Sequence, residues 1–160
     1  VSFELNLGAL HDFAEGMGEM VVEAAAIMIR DEVVTQMEPG PPRTGRQYPI
    51  PGTDASYTAS APGEPPAVRE GRYVASIKYT PAIRRGDFIV ARAYTDLKVG
   101  GTGGQAELAE ALGFSDGGEY VLGDLLERGT YKMAPRPHWL PGLVLVTPAI
   151  EQMLRNARRR

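Results

Sequence analysis

The stretch that most constrains this chain is Glu127-Arg128-Gly129-Thr130-Tyr131-Lys132-Met133-Ala134-Pro135-Arg136-Pro137-His138-Trp139. Its two prolines, one residue apart, fix φ at Pro135 and Pro137 and drive Ala134 and Arg136 toward extended backbone. A Gly-Thr turn precedes them and a bulky aromatic follows. A segment stiffened in this way loses little entropy when it docks on another surface. It lacks the residue combinations of a catalytic loop and reads as architecture.

At 160 residues the chain is expected to form a single domain spanning 1–160. Its 19 glycines and 13 prolines exceed the usual share and gather in a few stretches, so long arms and loops should join a modest core. No apolar run is long enough to predict a membrane span. Val1-Ser2-Phe3-Glu4 lacks the layout of a secretion signal, and none is expected. The absence of cysteine excludes disulfides and thiolate metal sites and fits synthesis in the cytosol. The net charge of −3 hides segregation: residues 1–38 carry −7, 39–92 carry +4, 93–134 carry −4 and 135–160 carry +4. Such blocks pair within a subunit, pair between neighbours, or are simply solvated faces.

Apolar residues Leu10, Phe13, Met17, Met20, Val21, Ala24, Ile27, Met28 and Val34 recur at spacings of three and four, predicting a helix over 10–37. Gly16 and Gly18 weaken its first turns, and Glu38-Pro39-Gly40-Pro41-Pro42 ends it. Residues 39–66 show no periodicity, which predicts an extended loop ordered against a partner. Short helical turns are expected over 70–77. A β-hairpin follows over 77–94, turning at Arg84-Arg85-Gly86-Asp87. Residues 95–104 read as a Gly-rich connection and 105–112 as a short helix. Residues 120–126 are apolar, with helix or strand left open. Residues 143–146 suit a strand or a first helical turn, and Thr147-Pro148 predicts the start of the last helix. The fold class is therefore α+β: an antiparallel β-sheet packed by a long N-terminal and a C-terminal helix, with long Pro-rich loops.

Candidate chemistry is sparse. His11 suits a helix start, and His138, between Pro137 and Trp139, suits packing or hydrogen bonding. No Gly-x-Ser-x-Gly elbow places a serine nucleophile. Gly100-Gly101-Thr102-Gly103-Gly104-Gln105 lacks the Gly-Lys-Ser/Thr ending of a phosphate loop. Glu107 and Glu110 lie at ordinary spacing on a solvated helix. No catalytic, cofactor-binding or metal-binding residue is assigned, and the chain is read as a non-enzyme. Arg158-Arg159-Arg160, with Arg43, Arg46, Arg69 and Arg72, could meet phosphates, but an acidic pI of about 5.4 restricts this to incidental contact with DNA.

Several elements together resemble the tail-completion, or head–tail joining, proteins of long-tailed bacteriophages. They are Pro42-Arg43-Thr44-Gly45-Arg46, Ala61-Pro62-Gly63-Glu64-Pro65-Pro66 leading into Glu70-Gly71-Arg72-Tyr73, Glu127-Arg128-Gly129-Thr130, and Met133-Ala134-Pro135-Arg136-Pro137-His138-Trp139. They cover about half the chain in the family's order. Residues 93–119 do not match, His138-Trp139 stands where Phe is more usual, and 140–146 looks like an insertion. The resemblance implies a structural virion protein of the neck, assembled in the host cytoplasm. It would form a homo-oligomeric ring, expected to be a hexamer, that closes the tail tube and joins it to the head. Its partners would be the tail tube protein and a head-side connector or stopper, with DNA passing through the lumen. A stopper or connector adaptor is the alternative, and a small enzyme sharing these loops a more distant one. Arg43, Arg46, Arg72, Glu127, Arg136 and Trp139 are the candidate interface residues, with the arginines either bridging subunits or holding the monomer's own loops.

Overall fold

The computed structural model describes residues 2–4, 15–38, 40, 42–50, 52–69, 71–100, 110 and 118–157. Strand β1 (Ser2–Glu4) precedes helix α1 (Glu15–Met37). An arm follows, built of β2 (Gln47–Pro49) and β3 (Ser56–Thr58), and then the single turn α2 (Arg72–Ala75). Strands β4 (Ile77–Tyr79), β5 (Ile83–Arg85), β6 (Phe88–Val90) and β7 (Arg92–Thr95) come next. The chain ends with β8 (Lys98–Gly100), β9 (Glu119–Val121), α3 (Leu122–Arg128) and α4 (Trp139–Ala157). The architecture is the expected α+β arrangement, with two long helices against small antiparallel sheets.

The predicted hairpin is present and turns where the Gly-Asp pair requires it. Arg85 pairs with Phe88 across a two-residue turn, and Gly86 takes φ 61°. The ladder then breaks at Thr80-Pro81, where proline has no amide to offer, and resumes as β4–β7 with Ile77 opposite Thr95. The Thr80 amide donates to the Arg92 carbonyl and its hydroxyl oxygen accepts from the Arg92 amide, bridging the break. β1 completes a three-stranded sheet on the other edge of β7.

Helix α1 buries a different face from the predicted one. Val22, Ala25, Ala26, Ile29, Val33 and Met37 are enclosed, whereas Met20, placed on the predicted stripe, is 73% exposed. The helix is apolar on more than one side, so spacing alone leaves its rotation unresolved. Packing against Trp139, Val146 and Ile150 of α4 and Ile77 and Ala93 of the sheet decides it. Leu10 and Phe13 of the stripe, and all of the expected 105–112 helix except Glu110, fall outside the described residues. Helices α1 and α4 run antiparallel: Gly142, early in α4, lies against Val33, late in α1, and Leu154 packs against the cluster that holds Val22 and Ala26. A Cβ on Gly142 would stand 3.0 Å from a Val33 methyl, so glycine sets the closest approach of the two helices.

The last helix begins at Trp139, before the Thr147-Pro148 start suggested by the sequence, and Pro148 lies inside it. The Thr147 hydroxyl donates to the Leu143 carbonyl at 2.7 Å. Val144 and Pro148 are both exposed, so the carbonyl deprived of its amide partner lies on the solvent side. Residues 143–146, left open between strand and helix, are helical, and 119–128 divides into a strand and then a helix.

The burial phase of α1 is directly testable. Ile29→Ala should cost about 2–5 kcal/mol in denaturant unfolding, as for a cavity in a packed core. Met20→Ala should stay within about 0.5 kcal/mol, as at an ordinary surface position.

Candidate functional site

The signature-like elements converge on one junction between the arm, α3 and the start of α4. Helix α3 ends at Gly129, which takes φ 75°, and the Gly129 amide donates to Leu125. Any side chain there would strike the Met133 carbonyl at 2.7 Å and Pro135 at 2.8 Å, so glycine is required. Thr130 and Met133 close a turn by reciprocal amide–carbonyl bonds. The proline-stiffened strand then runs back beside α3, with the Arg136 amide donating to the Leu126 carbonyl at 2.7 Å.

That return path brings the start of α4 to Glu127. Its Oε2 accepts from the amides of His138 (2.9 Å) and Trp139 (3.0 Å), and its Oε1 from the amide of Leu140 (3.0 Å). These are orphan donors at a helix N-terminus, where the backbone dipoles also favour negative charge. Burial alone would raise the Glu127 pKa. The hydrogen bonds from the His138 ring and the three amides outweigh it, and the carboxyl is lowered from 4.5 to about 2.

The His138 ring is fully buried and its tautomer follows from its neighbours. Nδ1 lies 2.9 Å from the Arg136 carbonyl and 3.2 Å from Glu127 Oε2, both acceptors, so the network assigns the ring hydrogen to Nδ1. Nε2 then accepts from the Tyr73 hydroxyl at 2.5 Å, and the Tyr73 oxygen accepts from Trp139 Nε1 at 3.1 Å. The chain Trp139→Tyr73→His138→Arg136 thus satisfies each buried polar side chain in turn. Burial pushes the Tyr73 phenol well above its ordinary range, opposite to the shift that would arm it as a nucleophile. The arrangement clamps α2 to α4.

The arm is ordered by its own chain. The sequence suggested an extended 39–66 loop, but Gln47–Pro49 and Ser56–Thr58 pair as a hairpin, with Tyr48 opposite Tyr57. Glu64 fastens its base by accepting from the Thr44 hydroxyl (2.5 Å), the Thr44 amide (3.1 Å) and the Ala61 amide (2.8 Å). The Thr44 hydroxyl, followed by the two amides, holds the Glu64 carboxyl below its ordinary range. Arg43 Nη2 donates to the carbonyls of Gln36 (2.8 Å) and Pro66 (3.2 Å), joining the end of α1 to the arm. Gly63 ties the arm to the proline strand through the Pro135 carbonyl, 3.0 Å away. Outside, Arg46 lies over Tyr48, Tyr48 stacks on Tyr57, and Arg69 lies over Tyr57, with separations of 5.5, 5.7 and 5.6 Å.

The six residues expected at interfaces therefore separate. Arg46 and Arg72 are exposed. Arg43 holds its own loops, the second of the two roles left open for it. Glu127 is mostly enclosed with both oxygens engaged, and Trp139 is completely buried within its own chain. Within the subunit, the helix start claims Glu127 and the core claims Trp139. Arg136 is half-buried, with Nη1 enclosed and without a hydrogen-bond partner among the described residues. Arg158-Arg159-Arg160 lie outside the described residues.

Beside the junction lies a cleft of about 420 Å³, walled by Met37, Val68, Tyr73, Val74, Val99 and Leu126. Tyr73 is shared: it lines the cleft while its hydroxyl serves the buried network. No sequence signal pointed to this cleft. Among the described residues there is no cluster of three His, Cys, Asp or Glu able to hold a metal, and no helix long and apolar enough to cross a membrane. Comparison with family models, curated proteins and solved structures finds no match to this chain.

Two measurements check the junction. Glu127 is more acidic folded than unfolded, so its contribution is complete above about pH 4.5 and is lost as the pH falls through about 2. Glu127→Gln should therefore cost on the order of 3 kcal/mol at neutral pH, and the difference from the native chain should vanish toward pH 2. Tyr73→Phe strands a buried donor on Trp139 and an acceptor on His138, and should cost about 1–3 kcal/mol, followed by the fluorescence of the single tryptophan.

Proposed function

We propose that this chain is a structural subunit of a bacteriophage neck, forming a ring that closes the tail tube and joins it to the head. The observation that carries this reading is the convergence of the resembling elements. The segments around Arg43, Glu64, Glu127 and His138, scattered over about a hundred residues, lock into one junction that holds an ordered arm. This gives the ordered motif set a physical purpose: each element is a fastening. A subunit of a ring needs a stiff body and presented arms, because its work is done by surfaces that meet.

The surface agrees with that role. Leu140, Val144 and Leu145 are each more than half exposed on a stretch of α4 that has no charged residue between Trp139 and Ile150. Ile83 and Phe88 are exposed on the β5–β6 hairpin. Exposed apolar side chains of this size, together with segregated charge, suit contacts with copies of the chain, with the tail tube protein and with a head-side connector or stopper. Arg46, Arg69 and Arg72 present positive charge along the arm and its base, and DNA in the lumen would be met incidentally.

Light scattering across protein concentration and salt tests the assignment. A discrete species near six times the 17.3 kDa subunit mass is expected, weakening as salt screens the charged contacts. A chain that is monomeric in solution and also enters particles singly would overturn the reading.

A further inference from the structure

We propose that the cleft beside Tyr73 receives the Met20 face of helix α1 from a second copy of this chain. The inference rests on the ring reading and names the two surfaces that would meet within it.

The cleft and the Met20 face are complementary in both polarity and charge. The cleft walls are apolar, with Met37, Val74, Val99 and Leu126 among them, and among the described residues the charged side chains lining it are Arg69 and Arg72. Among the described residues no carboxylate lines it. Met20 is 73% exposed at the edge of a shallow hollow that Glu19, Glu23, Ala24, Ile27 and Ala82 also line, and Glu23 Oε2 accepts from the Ala82 amide there at 3.2 Å. An unbranched, polarisable side chain fits an irregular apolar hole, and the flanking acids meet the arginines at its rim. The opposite charges also disfavour knob against knob and cleft against cleft, which fixes the polarity of the contact.

Position along α1 gives the contact its geometry. Met37, in the cleft wall, lies 17 residues after Met20, about 25 Å along a straight helix at 1.5 Å per residue. A rigid helix cannot fold back to fill its own cleft, so the knob must come from another molecule. Each subunit then carries one knob and one hole at separate ends of the same rod. Such a pair supports head-to-tail repetition, which closes into a ring when the rotation per subunit is right.

The chain has no cysteine, so introduced thiols report on this contact alone. Ala24→Cys marks the knob face and Ala67→Cys the cleft, leaving Met20, Glu19 and both arginines in place. A short bismaleimide should convert the double variant into a ladder of covalent multimers ending at the ring, while neither single variant gives a ladder. Adding Met20→Asp, at an exposed position that leaves folding intact by circular dichroism, should weaken self-association by about tenfold, or 1.4 kcal/mol. Glu19→Arg and Arg72→Glu should each lower the yield, and mixing these two variants should restore it, because each supplies the partner the other lacks. A ladder that stops at the dimer would keep the knob-in-cleft contact and overturn the ring. Ring-sized wild-type protein without double-variant multimers would overturn the contact, leave the ring reading standing and assign the cleft to another occupant. Monomeric wild-type protein with no multimers would overturn the contact, and the ring reading as well once the chain is found singly in particles.

Discussion

Helix α4 begins where a carboxylate from eleven to thirteen residues upstream meets its first free amides, and most of the molecule's order follows from that encounter. Glu127 lies in the last turn of α3, so capping α4 with it closes the intervening loop into a fixed shape. The loop is suited to closure: glycine at 129 allows the reversal, and Pro135 and Pro137 hold the return extended. Once the amides of His138 and Trp139 are held, their side chains have little freedom. The His138 ring then lies between Glu127 and Tyr73, and the indole faces the core with its nitrogen on the Tyr73 oxygen. A local cap thereby becomes a link between α2, α3 and α4.

Glu64 does for the arm what Glu127 does for α4. Each carboxylate gathers backbone amides from a segment rich in glycine and proline, where regular secondary structure supplies few partners. Arg43 completes the set from the other side by donating to carbonyls at the end of α1 and in the arm. Loops built in this way have few conformations to lose on assembly. The same groups turn inward, however, which is why Glu127 and Arg43 are consumed by the subunit itself. The large apolar side chains left exposed are instead ones that no internal partner encloses, such as Met20, Leu140, Val144 and Ile83.

Local chemistry made much of the fold legible. The Arg-Arg-Gly-Asp turn identified the hairpin, and Glu38-Pro39-Gly40-Pro41-Pro42 located the end of α1, because those signals act within a few residues. The rotation of α1 was not legible: with apolar residues on several faces, the partners that bury Ile29 and Val33 decide it from more than forty residues away. Thr147-Pro148 carried a helix-start signal but was overridden by a stronger cap supplied from α3. The arm's hairpin was hidden because its strands are only three residues each and its fastenings, Thr44–Glu64 and Gly63–Pro135, have no periodicity. Of the site, His138 was recognisable as a packing residue from its proline and tryptophan neighbours. Its bond to Tyr73 spans 65 residues and has no sequence signature.

On the proposed ring reading, the division between an enclosed interior and exposed apolar side chains bears on how a subunit would avoid premature assembly. The proposed contact, Met20 flanked by acids and docked in a cleft rimmed by arginines, would bury little area at each junction. Contacts well below the size of stable interfaces hold only weakly in isolation. In a ring every subunit is held on both sides, and closure makes the last contact intramolecular, with an effective concentration far above that of free subunits. Weak, oppositely charged contacts on a stiff body therefore favour the closed ring over open chains. A partner that presents the correct circumference lowers the remaining entropic cost of closure. The rigidity that Glu127 and Glu64 impose would favour such closure, since flexible arms would spend the gain on their own ordering.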